Sequence, residues 1–182
     1  MKNISDFFVR ISNWKTLLLF FIIYLCFNLY FLPKVFKGMV PEEDKNLPIL
    51  DLQFGYNPER VKEIVSMYTG EAKEAYIFNC AVVDGLYPVV YMFFFAIIFS
   101  LVFYKWKINP WFKYMNLFSF IILVFDYLEN YHIVKMLKTY PENIDNLAVN
   151  CSAITLLKWV FAGIALLMIL VGILQNLLRK SN

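Results

Sequence analysis

The chain has 182 residues, is 60% hydrophobic and 19% aromatic, and carries a formal charge of +3. A soluble domain of this length rarely holds so much apolar side chain, so an integral membrane protein is expected. The small charge falls in separate clusters rather than along a basic stripe, which argues against a nucleic-acid partner, and three singly placed cysteines leave no C-x-x-C pair for redox or zinc chemistry.

Residues 1–15 set Ile4, Phe7, Phe8 and Ile11 on one side and Lys2, Ser5 and Arg10 elsewhere. That pattern predicts a short helix in the headgroup layer. Thr16 to Leu32 is a continuous apolar run that stops at Pro33 and lacks a small-residue cleavage site, so it reads as an uncleaved first span. Lys34 to Ala75 is the one long polar segment. It contains Pro41, the acidic run Glu42–Asp44 and the stretch Ile49–Tyr56, which reads as extended. Asn57-Pro58-Glu59 then supplies a cap, a proline at the first helical position and an acid in the first turn. Val61, Ile64, Val65 and Tyr68 make one apolar face of that helix, which Gly70 ends. The face needs cover, so the segment is expected to pack on the end of the bundle.

Tyr76 to Tyr104 is the second span, followed by a basic turn at Lys105, Lys107 and Asn109-Pro110. Trp111 to Leu137 is the third, and Tyr140-Pro141 ends its helix. The fourth runs from Val149 to Leu178. The fold class is therefore all-α: a four-helix membrane bundle in one unit, with spans at about 16–32, 76–104, 111–137 and 149–178 and a loop at 34–75. Basic residues flank the first span at Lys2, Arg10 and Lys15, the second-to-third turn, and the end at Arg179-Lys180. Both termini are therefore expected in the cytoplasm, with 34–75 and 138–148 outside.

With that orientation the intramembrane polar groups share a depth. Asp84 and Lys158 should lie about 12–13 Å below the outer ends of their spans, and Asp126 roughly 22 Å along a span that starts inside. Asp126, Glu129 and Asn130 fall on one helical face with His132 at its edge, and Cys80, Tyr87 and Tyr91 lie on the face of Asp84. Charged side chains in a span are costly and usually face the bundle interior. The candidate site is a polar pocket in the outer leaflet lined by Asp84, Asp126, Glu129, Asn130, His132, Lys158, Tyr87 and Tyr91, over a dry inner plug. Three acids and one lysine cannot all be ionised cheaply there, so Lys158 is expected to pair with one of them. An interhelical ion pair holding the bundle in register accounts for part of this set without a ligand. Buried thiols are expected at Cys26, Cys80 and Cys151, with a Cys80–Cys151 bridge as the alternative.

No phosphate loop, dinucleotide fingerprint, nucleophile elbow or zinc-protease motif is present, and one histidine makes a multi-histidine metal site impossible. No metal and no cofactor are expected, and no reaction is assigned.

The segments DLQFGYNPER, VDGLYPVVY and DYLENYHIVKML resemble those of small four-span bacterial membrane proteins with no assigned activity. Asp51-Leu52-Gln53, and Asp84 with Pro88 a turn later, are similar to the EXPERA group, which includes the sterol isomerase called emopamil-binding protein and the sigma-2 receptor. Here the DLQ lies well after span one rather than at its edge. The resemblance implies a bacterial inner membrane and a pocket for a small lipophilic or sterol-like molecule. Membrane lipids and a lipophilic small molecule are then the expected partners. The alternatives are a non-catalytic subunit or assembly protein docking through loop 34–75, and a proton-coupled carrier acting as an oligomer.

Overall fold

The computed structural model describes residues 1–39, 47–104 and 110–181. The acidic run Glu42–Asp44 and the basic turn at Lys105–Asn109 lie outside them. Every regular element among the described residues is helical. Four helical stretches are long and apolar enough to cross a membrane: Trp14–Val35, Gly70–Phe103, Trp111–Thr139 and Asp145–Leu178. The chain is an all-α four-helix membrane bundle, and each predicted span lies at the predicted place with ends that differ.

Helix α1 (Lys2–Ile11) buries Ser5 and Phe8, whereas Ile4 and Phe7 face outward. The predicted apolar face is therefore rotated. Ser5 turns inward because its hydroxyl donates to the Lys113 carbonyl at 2.7 Å, and its own carbonyl accepts from Asn116 at 3.0 Å. Asn13 and Thr16 form a capping box that starts α2 (Trp14–Cys26). Pro33 does not stop the span. A π-turn at Phe27–Phe31 widens the register to i−5 just before it, and helix α3 (Leu32–Met39) continues through the proline.

Ile49–Tyr56 is not extended throughout, since Leu50–Leu52 closes a 3₁₀ turn between extended residues. Helix α4 (Pro58–Met67) begins as its sequence dictates, with Asn57 Oδ1 accepting from the Arg60 amide at 2.9 Å and proline in the first turn. Gly70 sits beyond the end of α4 in the left-handed region (φ 51°) and opens α5 (Gly70–Phe78) instead of merely ending the earlier helix. A second π-turn, Asn79–Val83, joins α5 to α6 (Asp84–Phe103), so the second span starts earlier than Tyr76. After a 3₁₀ stretch at Pro110–Phe118 come α7 (Ser119–Thr139) and α8 (Asp145–Ser181).

Two cores result. At the loop end, α4 lays Val61, Ile64, Val65 and Tyr68 on Ile133, Met136, Leu137, Ile144, Ala148 and Cys151. At the turn end, Phe8, Met92, Phe99, Phe103, Ile122, Ala165 and Ile169 pack with a ring-on-ring cluster that includes Phe93, Phe118 and Phe120. Between the two cores lie the charges. Cys80 and Cys151 are buried free thiols in the loop-end core, so the bridge is not formed, and Cys26 is exposed rather than buried.

Candidate functional site: a carboxylate-rich cavity between the cores

Helix geometry brings the acids together. Asp84, Asp126 and Lys158 each lie roughly 20 Å from the loop end of their helix at about 1.5 Å per residue. These distances along the helix are longer than the sequence predicts for Asp84 and Lys158 because α5 and α8 start at Gly70 and Asp145, before the predicted span ends. Lys158 is the hub. Its ammonium donates to Asp126 Oδ1 at 3.2 Å and to Glu129 Oε2 in a shorter contact, with the lysine side chain 12% exposed. Tyr91 Oη donates to the other Asp126 oxygen at 2.8 Å. Thr155, one turn before Lys158 on the same face, donates to Glu129 Oε1 at 2.5 Å. Tyr56 Oη in turn lies 3.1 Å from Thr155 Oγ1 and 3.0 Å from Cys151 Sγ. All of Glu129's capacity is thereby directed into the interior, where a buried charge persists only when paired.

Asp84 stands apart from this ion-pair knot. Asn79 donates to its Oδ2 at 2.7 Å. Its backbone carbonyl has lost the helical i+4 donor because that residue is Pro88, and Asn130 Nδ2 supplies a replacement at 3.2 Å. Tyr127 Oη likewise donates to the Gly85 carbonyl at 2.8 Å. Asn130 therefore satisfies a kinked backbone; it is buried behind the cavity and is not part of its wall. His132 is outside the site as well. Its Nδ1 is 2.7 Å from the Leu128 carbonyl and its ring stands edge-on to exposed Tyr131, since its position at the margin of the helical face turns it outward.

A cavity of about 460 Å³ lies between span one and α8, with α6 and α7 behind it. Span one contributes Tyr24, Asn28, Leu32 and Pro33. Helix α6 contributes Asp84, Tyr87, Tyr91 and Phe95, and α7 contributes Ile122 and Asp126. Helix α8 contributes Lys158, Trp159, Ala162 and Leu166; Lys158, Ala162 and Leu166 form one i, i+4, i+8 stripe. The wall is thus polar toward the loop end and apolar along α8 toward the turn end. Asn28 and Tyr87 hydrogen-bond across it at 3.1 Å. Cys80, placed by its sequence on the face of Asp84, belongs instead to the loop-end core.

The loop closes one side with Asp51 and Leu52. Tyr76 Oη donates to Asp51 Oδ1 at 3.1 Å and accepts from the Leu50 amide at 3.0 Å, which fixes the turn on α5. Burial holds the Asp51 carboxyl above its usual range, and the Lys158 ammonium works against that shift. Burial likewise pushes the nearby Tyr68 phenol up to about 12. Asp51 is singled out in the sequence only by a resemblance, Tyr56 only as the end of an extended stretch, and Thr155 and Asn79 by nothing. Thr155 was reachable from its i−3 relation to Lys158. The contribution of the loop was not, because nothing in the periodicity of residues 47–56 records which helix they meet.

Among the described residues, three aspartates, Asp51, Asp84 and Asp126, face this enclosure, and the one ammonium in its wall is already bound to Asp126 and Glu129. Among the described residues no group of three metal-ligating side chains is arranged to hold an ion. Comparison with family models, curated proteins and solved structures returns no match.

Proposed function

We propose that the protein binds a small lipophilic molecule bearing a cationic group, with the cation at Asp84 and Asp51 and the apolar body along Phe95, Ile122, Ala162 and Leu166. The observation that carries this reading is the surplus, among the described residues, of carboxyl groups over ammonium in a cavity whose remaining wall, Asn28 apart, is apolar and aromatic. The ion pairs of Lys158 account for Asp126 and Glu129. Among the described residues Asp84 and Asp51 receive only neutral donors, from Asn79 and Tyr76, and a ligand ammonium complements them. Tyr87, Tyr91 and Trp159 offer ring faces to the same cation. The volume is within the range of small-molecule sites, about 300–1,000 Å³.

A docking role for loop 34–75 receives less support, because the apolar face of α4 is spent on the chain's own core, with Val61 and Ile64 fully buried. The test is thermal unfolding of the detergent-extracted protein with dodecylamine and, separately, dodecanol. The amine is expected to raise the midpoint, the alcohol to raise it less, and Asp84→Asn to abolish the difference. Ala162→Phe should fill the apolar slot and weaken both. Equal effects of amine and alcohol on the wild-type chain would contradict the reading.

A further inference from the structure

The loop presents an apolar tip where polar residues are expected. Leu52 is 56% and Phe54 70% exposed, although both lie outside the spanning helices. Their position is fixed by what flanks them. Tyr56 is pinned to α8 by its amide, which donates to Ser152 Oγ at 3.1 Å, and by its hydroxyl beside Cys151 and Thr155. From that anchor the chain descends along α8, and the Phe54 ring meets Trp159 with centroids 5.1 Å apart. Trp159 falls within the outward-facing apolar run of α8 that begins at Val149 and continues through Leu156, Val160, Ile164 and Leu167 to Leu178. It is longer than the roughly 20 residues a bilayer's hydrocarbon core requires, and any stretch of that length within it includes Trp159. Phe54 is therefore held at the level of the hydrocarbon core, continuous with the lipid-facing surface of the helix.

The same tip borders the cavity. Leu52 lies in its wall beside Trp159, and Leu32 and Pro33 of span one lie in the wall as well. Water is a poor environment for this tip, since exposing two large apolar side chains forfeits the benefit of burying them. Acyl chains are a good one.

We propose that Leu52 and Phe54 form a lip inserted into the lipid beside α8, and that the cavity receives its ligand sideways from the bilayer at this lip, between span one and α8. The second half rests on the ligand-binding reading above; the first does not. The ligand is accordingly a membrane-dissolved amphiphile, and the interaction surface is built for phospholipid acyl chains.

Two measurements test the proposal separately. In nanodiscs of phosphatidylcholine and phosphatidylglycerol, Phe54→benzoylphenylalanine should photocrosslink to lipid, read as a lipid mass on the peptide carrying residue 54. Arg60→benzoylphenylalanine on the exposed side of α4 should give several-fold less. Equal yields at 54 and 60, or no lipid adduct at 54, would overturn the lip. For the route, Phe54→Gln should slow loading of dodecylamine from vesicles about tenfold, because a polar side chain resists the hydrocarbon region. It should leave the final occupancy unchanged. Unchanged loading rates would overturn sideways entry. Absence of amine binding to the wild-type chain would instead count against the binding reading and, with it, the route, while the crosslink result would still decide the lip.

Discussion

The two halves of the bundle use the same helices in opposite ways. Toward the turn end, α6, α7, α8 and the 3₁₀ stretch before α7 meet through aromatic rings and close contacts. Phe103 stacks on Phe112 at 5.8 Å, and a Cβ built on Gly172 would come within 2.3 Å of Val102. Toward the loop end the same helices stand around a 460 Å³ cavity and spend side chains on ion pairs instead. Apolar packing in a membrane interior gains no hydrophobic driving force over lipid, so tight contact is what holds the turn end together. The loop end gives up that contact and recovers only part of it through Lys158. Such an exchange is consistent with a site and is not needed by a scaffold.

The largest effect should come from breaking the charge knot. Lys158→Met leaves Glu129 fully buried and Asp126 nearly so without a cation, at a cost of about 3–5 kcal/mol in unfolding measured in detergent. Adding Glu129→Gln should return part of that loss, because the most deeply buried carboxylate is then neutral. If Lys158→Met alone unfolds like wild type, the ion pairs contribute nothing to the fold.

Next comes the dry half. Gly172→Leu must push Val102 and Phe103 apart, and roughly 1–3 kcal/mol is expected for overpacking of this kind. Ligand retention by the cavity should survive in whatever fraction stays folded. A variant that lost ligand with no loss of stability would show that the halves are not independent.

A smaller effect sharpens the role of Asn130. Asn130→Leu should cost about 1 kcal/mol by stranding the Asp84 carbonyl. In a Pro88→Ala background the helical donor returns, and the same substitution should cost almost nothing. A full cost in both backgrounds would place Asn130 in some other role.

How much of this was written in the chain varies by element. The spans were legible because apolar length and flanking lysines report on the bilayer directly. The coming together of Asp84, Asp126, Glu129 and Lys158 followed from counting residues along three helices. Periodicity puts Asn130 on the pocket face but does not give its partner there, which is a carbonyl freed by Pro88. Pro33 was read as a stop because a π-turn cannot be seen in composition. Asp51 reaches the cavity through a turn set by Tyr76, a contact between distant residues that local pattern does not encode.

The mildest prediction concerns pH. The folded-state pKa of Asp51 is raised, so its contribution to loop docking is full below the unfolded carboxyl value of about 4. That contribution is lost as pH rises through the folded value. Amide exchange across 50–56 should therefore be slower, after correction for intrinsic rates, in acid than at neutral pH, and Asp51→Asn should remove the difference. Protection that instead increases with pH would mean the carboxylate, not the acid, holds the loop.

The central claim is that the cavity prefers a cation because, among the described residues, its carboxyls outnumber its ammonium. Native mass spectrometry of the extracted protein, equilibrated with equal concentrations of dodecylamine and dodecanol, reads that preference as a ratio of bound forms. The account predicts a ratio well above one for the wild-type chain and close to one for Asp84→Asn. A wild-type ratio near one, or a ratio untouched by Asp84→Asn, would contradict it.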